Sequence, residues 1–134
     1  MAEHPNVSKI RDAYAAFEAA DLQAALKDMA PDGVFHLNGA PPLGGDHRGV
    51  DEITAALIAT FELTGGTQKL EIASIFADDH HGVAVLRETA SRPDGASLDV
   101  NEVHLFAIGP DGRITDFWDL PDDPEVHDRF FDGG

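Results

Sequence analysis

His104 and Asp119 are the two residues of this sequence whose types and spacing best suit acid–base chemistry. They lie in one stretch, 97–120, which is typical of two strands joined by the turn Gly109-Pro110-Asp111-Gly112. The hairpin sets the strands side by side, so the imidazole and the carboxylate can touch. A carboxylate beside an imidazole orients it and raises its basicity, and the pair can then move a proton on carbon next to a carbonyl. In the other interpretation, His104 is a hydrogen-bonded core or interface residue and Asp119 is a strand-end cap.

Alternation along the two strands sorts their side chains into two faces. The face of His104 also carries four further residues, Glu102, Phe106, Phe117 and Asp119. The other face holds Val103, Leu105, Ala107 and Trp118. Because both faces are partly apolar, we expect helices to cover one around a pocket and a partner subunit to cover the other. Trp118 fits a dimer interface better than it fits stacking on a ligand.

Further candidate pocket residues come from the helices and the earlier strands. His36, on the predicted strand Val34–Leu37, is a candidate second base or ligand donor, although a rim histidine bonded to water is the simpler interpretation. Arg87 would be costly to bury alone, so an inward Arg87 should pair with Glu102 or Asp119. Aromatic residues that could line the pocket, or simply form core, are Tyr14, Phe17, Phe61 and Phe106.

The turn Asp78-Asp79-His80-His81 contains residue types that bind metals. No supporting ligand pattern occurs elsewhere in the sequence, so a solvated turn is the better interpretation and no metal is expected. The sequence also has no phosphate-binding glycine loop, no dinucleotide fingerprint and no nucleophile elbow. We therefore expect no cofactor.

Composition limits the classes of partner. The 134 residues suffice for one domain, and 43% of them are hydrophobic, as in ordinary globular proteins. The net charge of −16, with only 9 scattered basic residues, argues against nucleic acid and against an anionic membrane surface. A small neutral or cationic ligand remains open. There is no cysteine, no signal-peptide pattern and no segment of membrane-spanning length, which suits a cytoplasmic protein.

Three helices are predicted before residue 67. Apolar residues recur at helical spacing after Asn6, after Asp21 and after Asp51, and each of these polar residues can cap the helix that follows it. Between the second and third helices lie a short strand, Val34–Leu37, and a proline- and glycine-rich loop, 38–49, which could form a rim or a lid.

The rest of the chain changes to the spacing of strands. From Leu70 to Leu120 the pattern predicts a run of antiparallel strands, followed by an acidic tail in which Phe130 and Phe131 could pack back. Helices followed by strands favour the α+β class. We predict one domain, 1–134, with three N-terminal helices on a curved, mainly antiparallel sheet and terminal extensions at 1–5 and 122–134. A sheet wrapped around helices leaves a cone with one open mouth, where ligands tend to bind.

Several segments carry a family resemblance. They are Phe17-Glu18-Ala19-Ala20-Asp21-Leu22, Ala30-Pro31-Asp32-Gly33-Val34, Arg48-Gly49, and Asp111-Gly112-Arg113-Ile114-Thr115-Asp116-Phe117-Trp118-Asp119. Together they resemble the SnoaL-like and ketosteroid-isomerase-like branch of the nuclear transport factor 2-like superfamily. The resemblance implies a cone-shaped α+β roll, an apolar cavity, and a homodimer formed through the outer face of the sheet.

The same resemblance implies a function. SnoaL-like polyketide cyclases use a histidine and an aspartate on neighbouring strands at nearly this separation. By that resemblance His104 is the general base or acid, Asp119 orients it or shares its proton, and His36 and Tyr14 assist. The expected activity is cofactor-free acid–base chemistry, of cyclase or isomerase type, on a small apolar carbonyl compound.

Two other functions are open. A reaction like that of the limonene-epoxide hydrolases would use Arg87 and Asp119, although Thr89 stands where a second aspartate is needed and Glu102 would have to replace it. Alternatively, the same pocket binds a hydrophobic ligand without reacting, and the protein is a dimeric binding module.

Overall fold

A computed structural model of the protein describes residues 3–132. Its helices and strands, in chain order, are α1 Pro5–Glu18, α2 Leu22–Ala25, β1 Met29–Leu37, β2 Gly45–Arg48, α3 Gly49–Thr64, β3 Lys69–Ala77, β4 His81–Ser91, β5 Ser97–Ile108, β6 Ile114–Pro121 and α4 Pro124–Phe131.

The strands form one six-stranded sheet in the order β2-β1-β6-β5-β4-β3. The β1–β6 pair is parallel, and the other neighbouring pairs are antiparallel. The predicted α+β roll is therefore confirmed, with four helices rather than three in the described part of the chain. None of these helices is long and apolar enough to cross a membrane.

The core lies between the helices and the inner face of the sheet. Ile10 of α1, Ile53 of α3 and Leu86 of β4 are at most 2% exposed and belong to one apolar cluster. Gly82 allows α1 to approach closely, because a Cβ at this position would clash with the Cδ1 atom of Ile10. This contact holds the N-terminal helix against the strands that carry the site.

Two of the three predicted helix caps are wrong. Helix α1 begins at Pro5, whose fixed φ suits the first helical position, and the His4 Nδ1 atom accepts a hydrogen bond from the Asn6 amide at 3.1 Å. Asn6 instead donates from its side chain to the Asp78 carbonyl. Helix α3 begins at Gly49, so Asp51 lies in its first turn. Asp21 does cap α2, where its carboxylate accepts from the Ala24 amide.

The predicted loop and tail both contain regular structure. Strand β1 starts earlier than expected, and β2, inside the predicted loop 38–49, pairs with it. The predicted tail 122–134 contains α4, capped by Asp123, which accepts from the Val126 amide, and begun by Pro124. Phe130 of this helix is 4% exposed and packs in a second apolar cluster with Leu98 and other residues. The C-terminal helix is therefore part of the fold.

Candidate active site

The β5–β6 hairpin brings His104 and Asp119 together. They are direct partners in the antiparallel register, and both face the inside of the sheet. The His104 Nε2 atom lies 3.5 Å from Asp119 Oδ1, and the two side chains are 6% and 12% exposed. The alternation that predicted this meeting holds along the whole of β5, where every second residue from Leu98 to Ile108 is buried.

His104 is held more tightly by two other residues. Its Nε2 atom lies 2.9 Å from Glu102 Oε1, and its Nδ1 atom lies 2.6 Å from the hydroxyl of Tyr14 on α1. In the neutral tautomer that these contacts favour, Nε2–H donates to Glu102 and the Tyr14 hydroxyl donates to Nδ1. The closest carboxylate is thus Glu102, two residues away on the same strand face. Asp119, which the sequence suggested as the main partner, is the second carboxylate.

A second histidine reaches the site from α4. His127 is buried, and its Nε2 atom lies 3.2 Å from Asp119 Oδ2. The same nitrogen lies 3.6 Å from Glu102 Oε2 and 3.7 Å from Glu88 Oε1, while Nδ1 contacts Asp128 at 3.1 Å. Glu88 comes from the inner face of β4, and Gln68 donates to its Oε2 atom.

Neither His127 nor Glu88 was predicted from the sequence as a site residue. An available signal for α4 was Asp123-Pro124, a capping residue followed by a proline in the first helical turn. The signal for Glu88 was its spacing of two residues from Leu86 and Ala90, which are buried on the same strand. Neither signal indicates that the two side chains meet.

These groups form one wall of an apolar cavity of about 140 Å³. The rest of the lining comes from the helices, from β1, β3, β5 and β6, and from four residues between elements, Leu26, Asn38, Leu43 and Gln68. Among the predicted aromatic residues, those that line the cavity are Tyr14, Phe17, Phe106 and Phe117. A mostly apolar pocket with polar groups on one side suits a small apolar molecule that carries a few polar atoms.

Burial and mutual repulsion set the charges of the carboxyl groups. Burial, followed by the neighbouring Glu102, raises the pKa of Glu88 to about 9. Burial and the Asp119 charge raise the pKa of Glu102 to about 8. Burial alone would also raise the pKa of Asp119, but the imidazoles of His104 and His127 outweigh it and lower that pKa below its ordinary range. Asp119 is therefore the charged carboxylate of the site at neutral pH.

The Asp119 charge also affects the pKa values of Tyr14 and His127. Burial raises the pKa of Tyr14 well above its ordinary value, and the Asp119 and Glu102 charges add to this effect, so its hydroxyl stays protonated and acts as a donor. Burial lowers the pKa of His127, but the Asp119 carboxylate more than compensates, and the net shift is upward.

Two predicted pocket residues lie on the outer face of the sheet. His36 contacts Asp46 at 2.8 Å and Asp116 at 2.9 Å, and its ring stacks on Trp118 with centroids 4.9 Å apart. The parallel register pairs His36 with Trp118, one residue before Asp119, so both rings point away from the cavity. The expectation that His36 stands at the pocket mouth is wrong for this reason, and Trp118 does not line the cavity.

Arg87 and Phe61 also lie outside the cavity lining. The Arg87 side chain is 51% exposed and forms two hydrogen bonds, of 2.7 and 2.6 Å, with Asp99 rather than with an inward carboxylate. This removes the cation required for epoxide hydrolysis through Arg87 and Asp119. Phe61 packs on Phe17, with ring centroids 5.1 Å apart, and so supports the wall from behind.

Comparison with known proteins identifies the family of this chain. The model of the SnoaL-like domain matches residues 10–117. The chain belongs to the SnoaL-like domain family. It is 31% identical over 132 residues to the uncharacterized protein Rv0034 of Mycobacterium tuberculosis, covering 98% of this chain and 99% of that one.

Solved structures share this architecture. Bal32a, from a soil-derived mobile gene cassette, is 29% identical, with a TM-score of 0.86 and coverage of 94% of this chain and 95% of its own. IdmH of Streptomyces antibioticus, described as a proposed polyketide cyclase, is 21% identical, with a TM-score of 0.73 and coverage of 98% and 100%. The likeness to IdmH concerns the fold alone.

Proposed function

We propose that this SnoaL-like protein catalyses acid–base chemistry, of polyketide cyclase or isomerase type, on a small apolar carbonyl compound bound in the cavity. The observation that carries the proposal is the position of His104. Its two nitrogens lie between the Tyr14 hydroxyl and the carboxylates of Glu102 and Asp119, on the polar wall of an otherwise apolar pocket. Membership of the family and the described role of IdmH agree with it.

The contacts of His104 suggest how the proton moves. A substrate carbonyl oxygen in the cavity accepts the Tyr14 hydroxyl hydrogen bond, which frees the lone pair of His104 Nδ1. Nδ1 then takes a proton from the carbon next to the carbonyl, producing an enolate and an imidazolium. The Tyr14 hydroxyl stabilises the enolate oxygen, and the ionised Asp119 stabilises the imidazolium.

The second half of the reaction returns the proton. In an isomerisation, the imidazolium gives it to another carbon of the enolate. In a cyclisation, the enolate carbon bonds to a second carbonyl carbon of the same molecule, and the alkoxide oxygen takes the proton. In both cases His104 ends as it began, and the apolar walls limit the access of competing water to the enolate.

Hydrogen–deuterium exchange tests this proposal without the natural substrate. In D2O, the wild-type protein should speed exchange at the carbon next to the carbonyl of small aryl ketones such as 2-tetralone, followed by NMR. His104→Ala should slow the catalysed exchange by about 10²–10⁴-fold, as expected for a general base. Tyr14→Phe should slow it by about 10²-fold or more, as expected for a lost oxyanion donor.

His80→Gln is the matched control, because His80 is an exposed histidine in the β3–β4 turn, and it should leave exchange unchanged. Unchanged exchange in His104→Ala would reject His104 as the base. A ketone that binds in the cavity, seen as shifted resonances of lining residues, without accelerated exchange would favour the binding module.

We also propose that two copies of the chain pair through the outer face of the sheet. One lateral row on this face runs across four strands as Phe76, Val83, Leu105 and Trp118. Phe76 is 62% exposed, and Leu120 of the next row is 47% exposed. Apolar side chains aligned on a sheet face are suited to bury against a second copy. A cytoplasmic location stays a prediction, supported by the cysteine-free sequence.

A further inference from the structure

Four side chains from four elements converge at the end of the cavity wall. Glu88 of β4, Glu102 of β5, Asp119 of β6 and His127 of α4 each present one ligand atom, and these atoms lie within 4.8 Å of one another. The imidazole nitrogen of His127 lies at 3.2, 3.6 and 3.7 Å from the three carboxylate oxygens. Bonds of about 2.1 Å to a shared metal ion would place neighbouring ligand atoms roughly 3.0–3.4 Å apart. The spacing already approaches that of a coordination shell.

Two carboxylate oxygens of this group, Glu102 Oε2 and Asp119 Oδ1, lack a hydrogen-bond partner within the described residues. The Glu102 side chain is 0% exposed, and its Oε2 atom has no hydrogen-bond partner within residues 3–132. This oxygen is the one that faces His127. Leaving a buried carboxylate oxygen without a partner costs free energy, and a cation at the centre of the group would satisfy it.

The other atoms of these four residues are held in place by neighbours. The second oxygen of Glu88 accepts from Gln68, and the second oxygen of Glu102 faces His104. His127 contacts Asp128 through Nδ1, and its Nε2 atom faces the carboxylates, where it can bind a metal ion once its proton is released. A histidine fixed by a carboxylate on its far nitrogen is the usual arrangement of a metal-binding histidine.

The charge of the group also favours a cation. No lysine or arginine appears among the cavity-lining residues of the described chain. In the metal-free protein Glu88 and Glu102 hold their protons at neutral pH, so a metal ion would displace these two protons when it binds. Once all three carboxylates are ionised, a divalent ion reduces the net charge of the group to −1.

We propose that Glu88, Glu102, Asp119 and His127 bind one divalent first-row transition-metal ion of the Zn²⁺ or Mn²⁺ class. Three carboxylate oxygens and one imidazole nitrogen suit such an ion better than Ca²⁺, which takes oxygen ligands. Because all four residues line the cavity, a ligand in the cavity can reach the ion. His104 contacts only the opposite oxygens of Glu102 and Asp119, so the site does not depend on the proposed acid–base function.

Calorimetric titration of the chelator-stripped protein tests the site. ZnCl₂ and MnCl₂ are titrated in separate experiments, with MgCl₂ and CaCl₂ for comparison. One ion of Zn²⁺ or Mn²⁺ should bind per chain, more tightly than Ca²⁺. Glu88→Gln should weaken binding by about tenfold or more, and so should His127→Gln. Glu88→Gln keeps the shape of the protonated acid, so this variant still tests the metal site if His127→Gln fails to fold.

The exposed turn that contains Asp78, Asp79, His80 and His81 provides the control. The double variant His80→Gln/His81→Gln should keep the tight site, because these residues lie outside the cavity lining. Loss of binding in this double variant, with retention in Glu88→Gln, would place the ion at the turn and overturn the proposal. Absence of binding at millimolar Zn²⁺ and Mn²⁺, or a preference for Ca²⁺, would overturn it as well. No substrate is used, so failure of the acid–base function would not affect the result.

Discussion

Glu88 shows how strongly burial controls a single residue of this site. Its side chain is 3% exposed, and in the folded, metal-free protein its pKa is raised from an ordinary value of 4.5 to about 9. The group therefore keeps its proton at neutral pH when the chain is folded and releases it when the chain unfolds. Stability and pH are linked through this one proton.

Replacing Glu88 by glutamine should reduce the pH dependence of stability. Between pH 4.5 and about 9 the unfolded chain loses the Glu88 proton and the folded chain keeps it, so the free energy of unfolding falls as pH rises. Glu88→Gln should match the wild type near pH 5 and exceed it at pH 9 by about 1–3 kcal/mol. Urea unfolding at pH 5, 7 and 9, with chelator present, measures the difference.

The groups that face Glu88 set the pH dependence of the unfolding free energy that remains in Glu88→Gln. Glu102 has a pKa raised to about 8, so its contribution to the stability of the protein also falls as pH rises. His127 has a raised pKa, so its contribution is complete below 6.5 and is lost as pH rises through the folded value. Asp119 has a lowered pKa, so its contribution is lost only in acid. The control is Glu71→Gln, which changes a half-exposed side chain of β3. If the unfolding free energy of Glu88→Gln varied with pH as steeply as that of Glu71→Gln, the prediction would be contradicted.

Alternation within strands made part of the site predictable from the sequence. It placed Glu102, His104 and Asp119 on one face, because side chains two residues apart on a strand point the same way. It did not place His127, because alternation says which face a residue occupies and not which distant element covers that face. The interpretation of His36 as a pocket residue was wrong, because the facing of β1 is set by its parallel pairing with β6, a segment about 80 residues away.

Some helices and strands were predictable from the sequence and others were not. The β5–β6 hairpin was predictable because its turn residues and its strand pattern are local in the sequence. Helix α4 was taken as a tail, because eight residues rich in charge resemble a solvated segment. Its stability comes from tertiary contacts: Phe130 packs with Ala90, Leu98 and Val100, and Arg92 donates to the Phe130 carbonyl.

Docking of α4 can be tested at Phe130. Phe130→Ala should destabilise the protein by about 3–5 kcal/mol, because it removes a buried aromatic ring and leaves a cavity. Val126→Ala, at a 38% exposed position of the same helix, is the matched control and should change stability by less than about 0.5 kcal/mol. Denaturant unfolding compares the two. Equal effects would mean that α4 does not pack in solution and that His127 does not reach the site.

At the level of the whole molecule, the two faces of the sheet have different partners. The inner face is covered by α1, α3 and α4, and these helices enclose the cavity. The outer face carries apolar rows that no helix of the described chain covers, together with the stacked pair of His36 and Trp118. The sequence indicated two partly apolar faces on β5, and this pattern, together with the family resemblance, suggested that a second subunit covers one of them.

A charge placed in the middle of the outer face should separate the two proposed subunits. Leu105 pairs across the sheet with Val83 on one side and Trp118 on the other, so Leu105→Glu puts a carboxylate at the centre of the apolar row. Burying that charge against a second copy would be costly, so a wild-type dimer should become a monomer in sedimentation velocity. Ala55→Glu, which adds the same charge at an exposed position of α3, should stay dimeric. A wild-type protein that sediments as one chain, or a Leu105→Glu variant that stays dimeric, would show that the outer face does not hold two copies together.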